Sequence, residues 1–211
     1  MPSIYRMTLV CLLAVMSQLT AAQIKILYGP YLQNVKDTEV TLVWESDKPS
    51  VGWVEIAPND DSHFYGDERP KYFDTTNGVK NTATLHTVKV KGLKPATTYR
   101  YRVYAQEVRG HEGIFVDYGR VAATDVYSKK PLTFTTCDRN KKETSFLMVN
   151  DIHGREGLIT QLLNVGKFQD KDLILFNGDM VSIFKDREPI FNGFMKESID
   201  LFAAEKPMYY A

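Results

Sequence analysis

Cysteine is scarce: the 211 residues include two, Cys11 and Cys137. Cys11 lies in an N-terminal stretch that reads as a cleaved leader. The mature chain would keep Cys137 alone and form no internal disulfide, even in an oxidising compartment. Stability then has to come from burial. Cys137 has no histidine near it in sequence and reads as a solitary linker thiol. Excess charge of either sign is also missing, because 26 Lys and Arg balance 26 Asp and Glu. That removes the long-range attraction by which basic proteins find nucleic acid or anionic membrane, so neither partner is expected. There is no repeat, no low-complexity tract and no run of like charges.

What is present starts with a processing signal. Arg6 is a short basic region, and Met7–Met16 (MTLVCLLAVM) is an apolar run well short of the ~20 residues a membrane span needs. Thr20-Ala21-Ala22 supplies small residues for cleavage before Gln23. A buried N-terminal helix or a single anchor is the competing reading. Val10 before Cys11 argues against a lipoprotein site. Residues 1–22 therefore read as a signal peptide, with export to a periplasmic or extracellular location and no stable membrane anchor after cleavage. The remainder, in a chain with 44% hydrophobic residues, supports one or two domains with real cores.

From Ile24 to about Thr136 the pattern is all-β. Val40, Leu42 and Trp44 alternate with Thr41 and Glu45, the period of a half-buried strand. Lys48-Pro49-Ser50 is expected to break that run, and Val51–Ile56 to form the next strand. Thr84–Lys91 puts Val88 and Val90 opposite Lys89 and Lys91, with His86 in phase as a half-buried residue. Thr98–Gln106 sets Tyr99, Tyr101, Val103 and Ala105 against Arg100, Arg102 and Gln106, and Pro131–Thr136 closes the series. Short strands at this spacing predict a sandwich or barrel. Asn59–Ala83 is expected to be a surface loop; Asp60, Asp61 and His63 within it read as solvated loop residues, with a metal site the minor alternative. His111 is expected in a solvent-facing turn.

Gly92-Leu93-Lys94-Pro95-Ala96-Thr97-Thr98-Tyr99 has the arrangement of a tyrosine corner, in which the hydroxyl bonds back to backbone a few residues upstream. With Val40–Trp44 and Phe134-Thr135-Thr136 it resembles a fibronectin type III-like domain. Gly29-Pro30-Tyr31-Leu32, Trp44, Val51-Gly52-Trp53-Val54 and Gly92–Tyr99 resemble the N-terminal domain of purple acid phosphatases. The division expected is a β-sandwich over 23–136, a polar linker over 137–144 (CDRNKKET) and an α/β part over 145–211.

That last part alternates differently. Phe146–Val149 and Leu173–Phe176 are apolar throughout, as expected of parallel strands covered on both faces. Gly157–Phe168 has Leu158, Leu162 and Val165 at helical spacing, with Ile159 and Leu163 widening the stripe. Pro189–Ala204 reads as a second amphipathic helix and Pro207–Ala211 as the start of a third strand. The order β-α-β-α-β predicts a mostly parallel sheet.

In such sheets, sites form beyond the C-terminal ends of the strands. Asp151 and His153 follow the first strand and Asp179 the second. Carboxylate and imidazole suit Zn, Mn or Fe, and there is no thiolate to favour a soft metal. Asp-x-His alone is a weak motif, since a strand-end Asp is often a helix cap. Asn177-Gly178-Asp179 at the neighbouring strand end strengthens the metal reading. Asp151-Ile152-His153-Gly154 followed by Leu175-Phe176-Asn177-Gly178-Asp179 resembles the first two motifs of calcineurin-like metallophosphoesterases. The resemblance implies two metal ions, with Asp151 and His153 on one and Asp179 bridging both. It also implies hydrolysis of phosphate mono- or diesters, in a small molecule or a phosphorylated substrate. Arg155 flanks the site and reads first as a surface salt-bridge residue, with a phosphate contact the minor alternative; Asn150 and Asn177 read equally as hydrogen-bond donors to the ligands or as turn formers.

Two departures are visible. Purple acid phosphatases carry a tyrosine ligand where Ser182 stands and lack a histidine where His153 stands, so no tyrosinate-bound iron centre is expected. The family's third motif and later histidines do not occur before Ala211. The expectation is a fragment carrying three ligands, no complete catalytic set and no activity of its own. The alternative is a secreted, non-catalytic fibronectin-like binding or spacer module with a vestigial α/β half.

Overall fold

The computed structural model describes residues 22–211; the expected signal peptide, with Arg6, Met7–Met16 and Cys11, lies outside the described residues. The amino-terminal part is built of β1 (Ile26–Gln33), β2 (Glu39–Pro58), β3 (Lys71–Phe73), β4 (Thr75–Thr76), β5 (Val79–Lys80), β6 (Thr82–Lys91), β7 (Thr98–Glu112), β8 (Phe115–Ala123) and β9 (Leu132–Thr135). The carboxy-terminal part runs β10 (Phe146–Val149), α1 (Leu158–Val165), β11 (Leu173–Phe176), a helical run over 188–203, and β12 (Met208–Tyr210).

The long strand β2 organises the sandwich. Its first half pairs with β1 and β6, and its second half with β3 and β7. Lys48-Pro49-Ser50 does not end the strand, contrary to expectation. The register instead shifts between Glu45 and Ser50, and Pro49, which has no N–H to donate, sits in the irregular stretch. Ser46 Oγ stitches this bend by donating to the Lys48 carbonyl at 2.8 Å and meeting Ser50 Oγ at 2.9 Å. Leu42, Trp44, Val54, Val88, Val90, Tyr101, Val103 and Phe134 form the core. Lys89 and Lys91 point out, as the alternation requires. The Lys94 N–H donates to the Tyr99 hydroxyl at 2.9 Å, which closes the predicted tyrosine corner.

Three readings change. β2 is buried on both faces, not one: Thr41, Val43 and Glu45 are covered as well as Val40, Leu42 and Trp44. Tyr31 and Gln33 pair with Val43 and Thr41, so this second face is the one turned to the α/β part. Asn59–Ala83 is not a bare loop, because it contains β3 and the β4–β5 hairpin and buries Phe64 and Asp74. Within it, Asp60 accepts from Arg100 at 2.7 Å and belongs to no metal cluster among the described residues. His86 is fully buried rather than half-buried.

The α/β part is a parallel sheet in the order β10-β11-β12. Both helical segments pack on one face, against Val149, Ile174 and Phe176, through Ile159, Leu163, Phe194 and Phe202. The expectation that β10 is covered on both faces therefore fails: Phe146 and Met148, on the opposite face, are 55% and 52% exposed. In α1 the docking residues are Ile159 and Leu163, while Leu162 and Val165 stay exposed. The second helical run alternates α2 (Glu188–Ile190), a π-helical stretch (Phe191–Met195), α3 (Lys196–Ser198) and a second π stretch (Ile199–Ala203). Pro189 sits in its first turn, where its missing N–H costs nothing.

Several contacts among the described residues hold the halves together. Tyr28 stacks on Phe191 with centroids 4.1 Å apart. The buried Tyr101 hydroxyl donates to the Ala204 carbonyl at 2.5 Å, and the Gln33 amide donates to the Met208 carbonyl at 2.9 Å. Arg187 pairs with the buried carboxylate of Glu45. Among the described residues, no helix is long and apolar enough to cross a membrane.

Candidate active site

Parallel register brings the ends of β10 and β11 together, with Val149 opposite Phe176. The pairing continues past the strands. The Asn177 N–H donates to the Val149 carbonyl at 2.9 Å, His153 N–H to Asp179 carbonyl at 2.9 Å, and Gly154 N–H to Met180 carbonyl at 2.8 Å. A longer contact of 3.4 Å joins Asp151 N–H to the Gly178 carbonyl. The two strand-end loops are thus zipped backbone to backbone.

Asp151, His153 and Asp179 all lie in the left-handed region, with φ of 63°, 54° and 51°. Asp and His enter this region more readily than most side chains, yet it remains uncommon and collects at functional sites. Their neighbours Gly154 and Gly178 also have positive φ, of 67° and 73°. The backbone of both loops is therefore coiled tightly at the residues whose side chains carry metal-ligating atoms.

The side chains divide into a pair and a third member. His153 Nε2 lies 2.7 Å from Asp151 Oδ1, so the two donors of the first loop converge. Ser182 Oγ stands 3.3 Å from His153 Nδ1, on the other side of the ring. Arg155 turns back on its own loop and donates to the Ile152 carbonyl at 3.0 Å and the Asp151 carbonyl at 2.6 Å. Asn150 and Asn177 are exposed at the strand ends. Asp179 joins the pair through backbone only; among the described residues no group of three or more His, Cys, Asp or Glu is placed to hold an ion. The donor chemistry nevertheless fits a hard or borderline metal ion, with oxygen and nitrogen ligands partly open to solvent.

Beside Asp179 the environment turns apolar. Burial pushes the Tyr210 hydroxyl well above its ordinary range, and burial with the nearby Glu45 carboxylate raises Tyr31. Burial also raises Glu45 itself, against the pull of Arg187.

Residues 29–136 match the family model described as purple acid phosphatase, N-terminal domain. That match spans just over half of the 211 residues. The chain belongs to the purple acid phosphatase N-terminal domain family. Residues 144–211 match the family model described as calcineurin-like phosphoesterase, so both strand-end loops lie within the matched segment. Among solved structures, purple acid phosphatase PPD1 from yellow lupin (Lupinus luteus) seeds is similar over 86% of this chain and 34% of that chain, at 15% identity and a TM-score of 0.53. That likeness shows the fold. This chain spans about a third of the length of the lupin protein. The FN5 domain of Drosophila Lar matches 54% of this chain and 95% of that chain, at 14% identity and a TM-score of 0.33. No curated protein matches the chain.

Sequence reasoning marked Ser182 only as the wrong residue for a tyrosine ligand; the structure shows it touching His153. Tyr31 and Gln33 line the recess beside Asp179, unmarked by any ligand motif in the sequence. Their one signal was Gly29-Pro30-Tyr31, where Gly29 has φ +92° and a Cβ there would lie 2.8 Å from the Val43 carbonyl oxygen.

Proposed function

We propose that this protein is an exported, metal-dependent phosphoesterase in which Asp151, His153 and Asp179 hold the metal. The organisation proposed is a sandwich over 23–136, a linker over 137–144 and the phosphoesterase part over 145–211. The observation that carries the reading is the coincidence of all three ligand candidates with left-handed backbone on two zipped loops. A bound pair of Zn, Mn or Fe ions would supply an activated water near neutral pH and a clamp for the phosphoryl oxygens.

The chain's own residues have separable tasks. Asp151 and His153 would present one oxygen and one nitrogen donor from the first loop, and Asp179 would add a carboxylate from the second. Ser182 orients the His153 ring through Nδ1, leaving Nε2 on the side of Asp151. Arg155 holds the two carbonyls that would otherwise let the first loop relax. With serine at 182, the account expects no tyrosinate-to-iron colour.

Hydrolysis of p-nitrophenyl phosphate by a protein in which these 211 residues are accompanied by a complete set of metal ligands, with Mn²⁺ or Zn²⁺ added and then removed by chelator, tests this. Asp151→Ala and Asp179→Ala are each expected to lower kcat/KM by more than about 100-fold, beyond the 10–100-fold usual for residues that only support a ligand. Full activity in either variant would remove that residue from the site.

A further inference from the structure

We propose that the sandwich forms one wall of the substrate site, and that the cavity it closes binds the aromatic alcohol group of a phosphate ester. The reaction part of this rests on the phosphoesterase reading above; the aromatic part rests on the cavity alone.

A cavity of about 560 Å³ lies against Gly178 and Asp179. Tyr31 and Gln33 reach it from β1 of the sandwich; Phe184, Phe191 and Tyr210 reach it from the α/β part. Both halves therefore line the cavity, most of it from the α/β part, and it reaches the proposed metal-binding carboxylate of Asp179. Its size and its mostly apolar wall with few polar groups are those of a small-molecule site.

The walls are held in place. The Gln33 amide is committed to the Met208 carbonyl, and Phe191 is stacked on Tyr28. Phe194 meets Tyr210 edge-on at 5.5 Å. Among the described residues the Tyr210 hydroxyl meets only weak thioether acceptors, Met195 Sδ at 2.9 Å and Met208 Sδ at 4.0 Å, which leaves it free to turn to a ligand oxygen. At the rim, Phe184 is 70% exposed beside an apolar recess. A planar ring entering here finds aromatic faces and edges at stacking distance, which a flexible chain would use less well. One end of the ligand is then apolar and the other lies at Asp179, the polarity of an aryl phosphate.

The test uses these 211 residues within a protein that carries the complete set of metal ligands, and three esters: 1-naphthyl, octyl and methyl phosphate. It also uses 1-naphthol, whose binding is followed by fluorescence and requires no turnover. Naphthol is expected to bind saturably and to compete with naphthyl phosphate. Phe184→Ala and Tyr31→Leu are expected to weaken naphthol binding and to lower the naphthyl-to-methyl ratio of kcat/KM about tenfold, the scale of a lost apolar contact in a pocket. Phe184 is exposed, so its variant keeps the test valid if Tyr31→Leu fails to fold. No saturable naphthol binding, or an unchanged ratio in Phe184→Ala, overturns the proposal. A preference for octyl over naphthyl phosphate overturns the aromatic assignment. If naphthol binds through Phe184 but no ester is hydrolysed, the aromatic site stands and the phosphoesterase reading falls. If all esters are hydrolysed alike and naphthol does not bind, the reverse holds.

Discussion

His86 is wholly buried, with Nδ1 3.3 Å from Asp74 Oδ2 and Nε2 2.8 Å from Ser50 Oγ. The sequence Asp–His–Ser is that of a hydrolase triad, but Ser50 is itself fully buried and also bonded to Ser46, so no substrate carbonyl can approach it. The Trp44 ring lies 5.2 Å from the imidazole, and a Cβ on Gly52 would lie 2.5 Å from it. The group is structural, and its consequence is acid sensitivity. Burial lowers the His86 pKa, with Asp74 opposing less strongly. The unfolded chain, at about 6.5, takes the proton first. The stabilising contribution is therefore full above about pH 6.5 and is lost as pH falls through and below that value. Glu45, raised by burial, contributes a slope of opposite sign, lost as pH rises, so the informative comparison is between variants. Denaturation midpoints from pH 7.5 to 5 should fall in the wild type and flatten in His86→Gln. An identical slope in both would show that His86 stays neutral in neither state or in both. The sequence placed His86 on a strand face correctly, but its partners Asp74 and Ser50 lie 12 and 36 residues away, beyond any local period.

At the scale of elements, the helical run over 188–203 comes closest to the site at Gly193. A Cβ there would lie 2.6 Å from Val181 Cγ1 and 3.4 Å from Gly154 Cα. Gly193 belongs to a π-helical stretch, a deviation often found near functional sites. The close approach packs helix against both strand-end loops at once. Gly193→Ala is therefore expected to cost about 1–3 kcal/mol, the usual range for overpacking, and to loosen the loops that carry His153 and Asp179. Urea denaturation checks the first effect. A fall in kcat/KM with folding intact checks the second, and a variant as stable and active as the wild type would refute both. The helix itself was legible from the spacing of Ile190, Phe194 and Phe202, but its π turns were not, because one extra residue in a turn leaves no mark in composition. Strands β1 and β8 were illegible for a related reason: both pair through register shifts that break the two-residue alternation. The strand-end residues Asp151, His153 and Asp179 stood out because ligand chemistry falls directly after two apolar runs. Their left-handed backbone did not, since φ leaves no mark in composition.

For the whole molecule, the β-then-α/β order could be read from the chain, whereas the fit between the parts could not. Gln33 to Met208 and Tyr101 to Ala204 join residues 175 and 103 positions apart. These contacts close the cavity beside Asp179 and turn β2 into a strand buried on both faces. They also set Tyr31 and Gln33 of the sandwich on the wall of the cavity that includes Asp179. The proposed metal site draws Asp151 and His153 from one strand-end loop and Asp179 from the other. Isothermal titration of the metal-stripped full chain with Mn²⁺ or Zn²⁺ tests it most directly. Asp151→Asn, His153→Asn and Asp179→Asn are each expected to weaken binding by more than tenfold, with Ser182→Ala weakening it less, within the range typical of supporting residues. Binding in all three ligand variants indistinguishable from the wild type would contradict it.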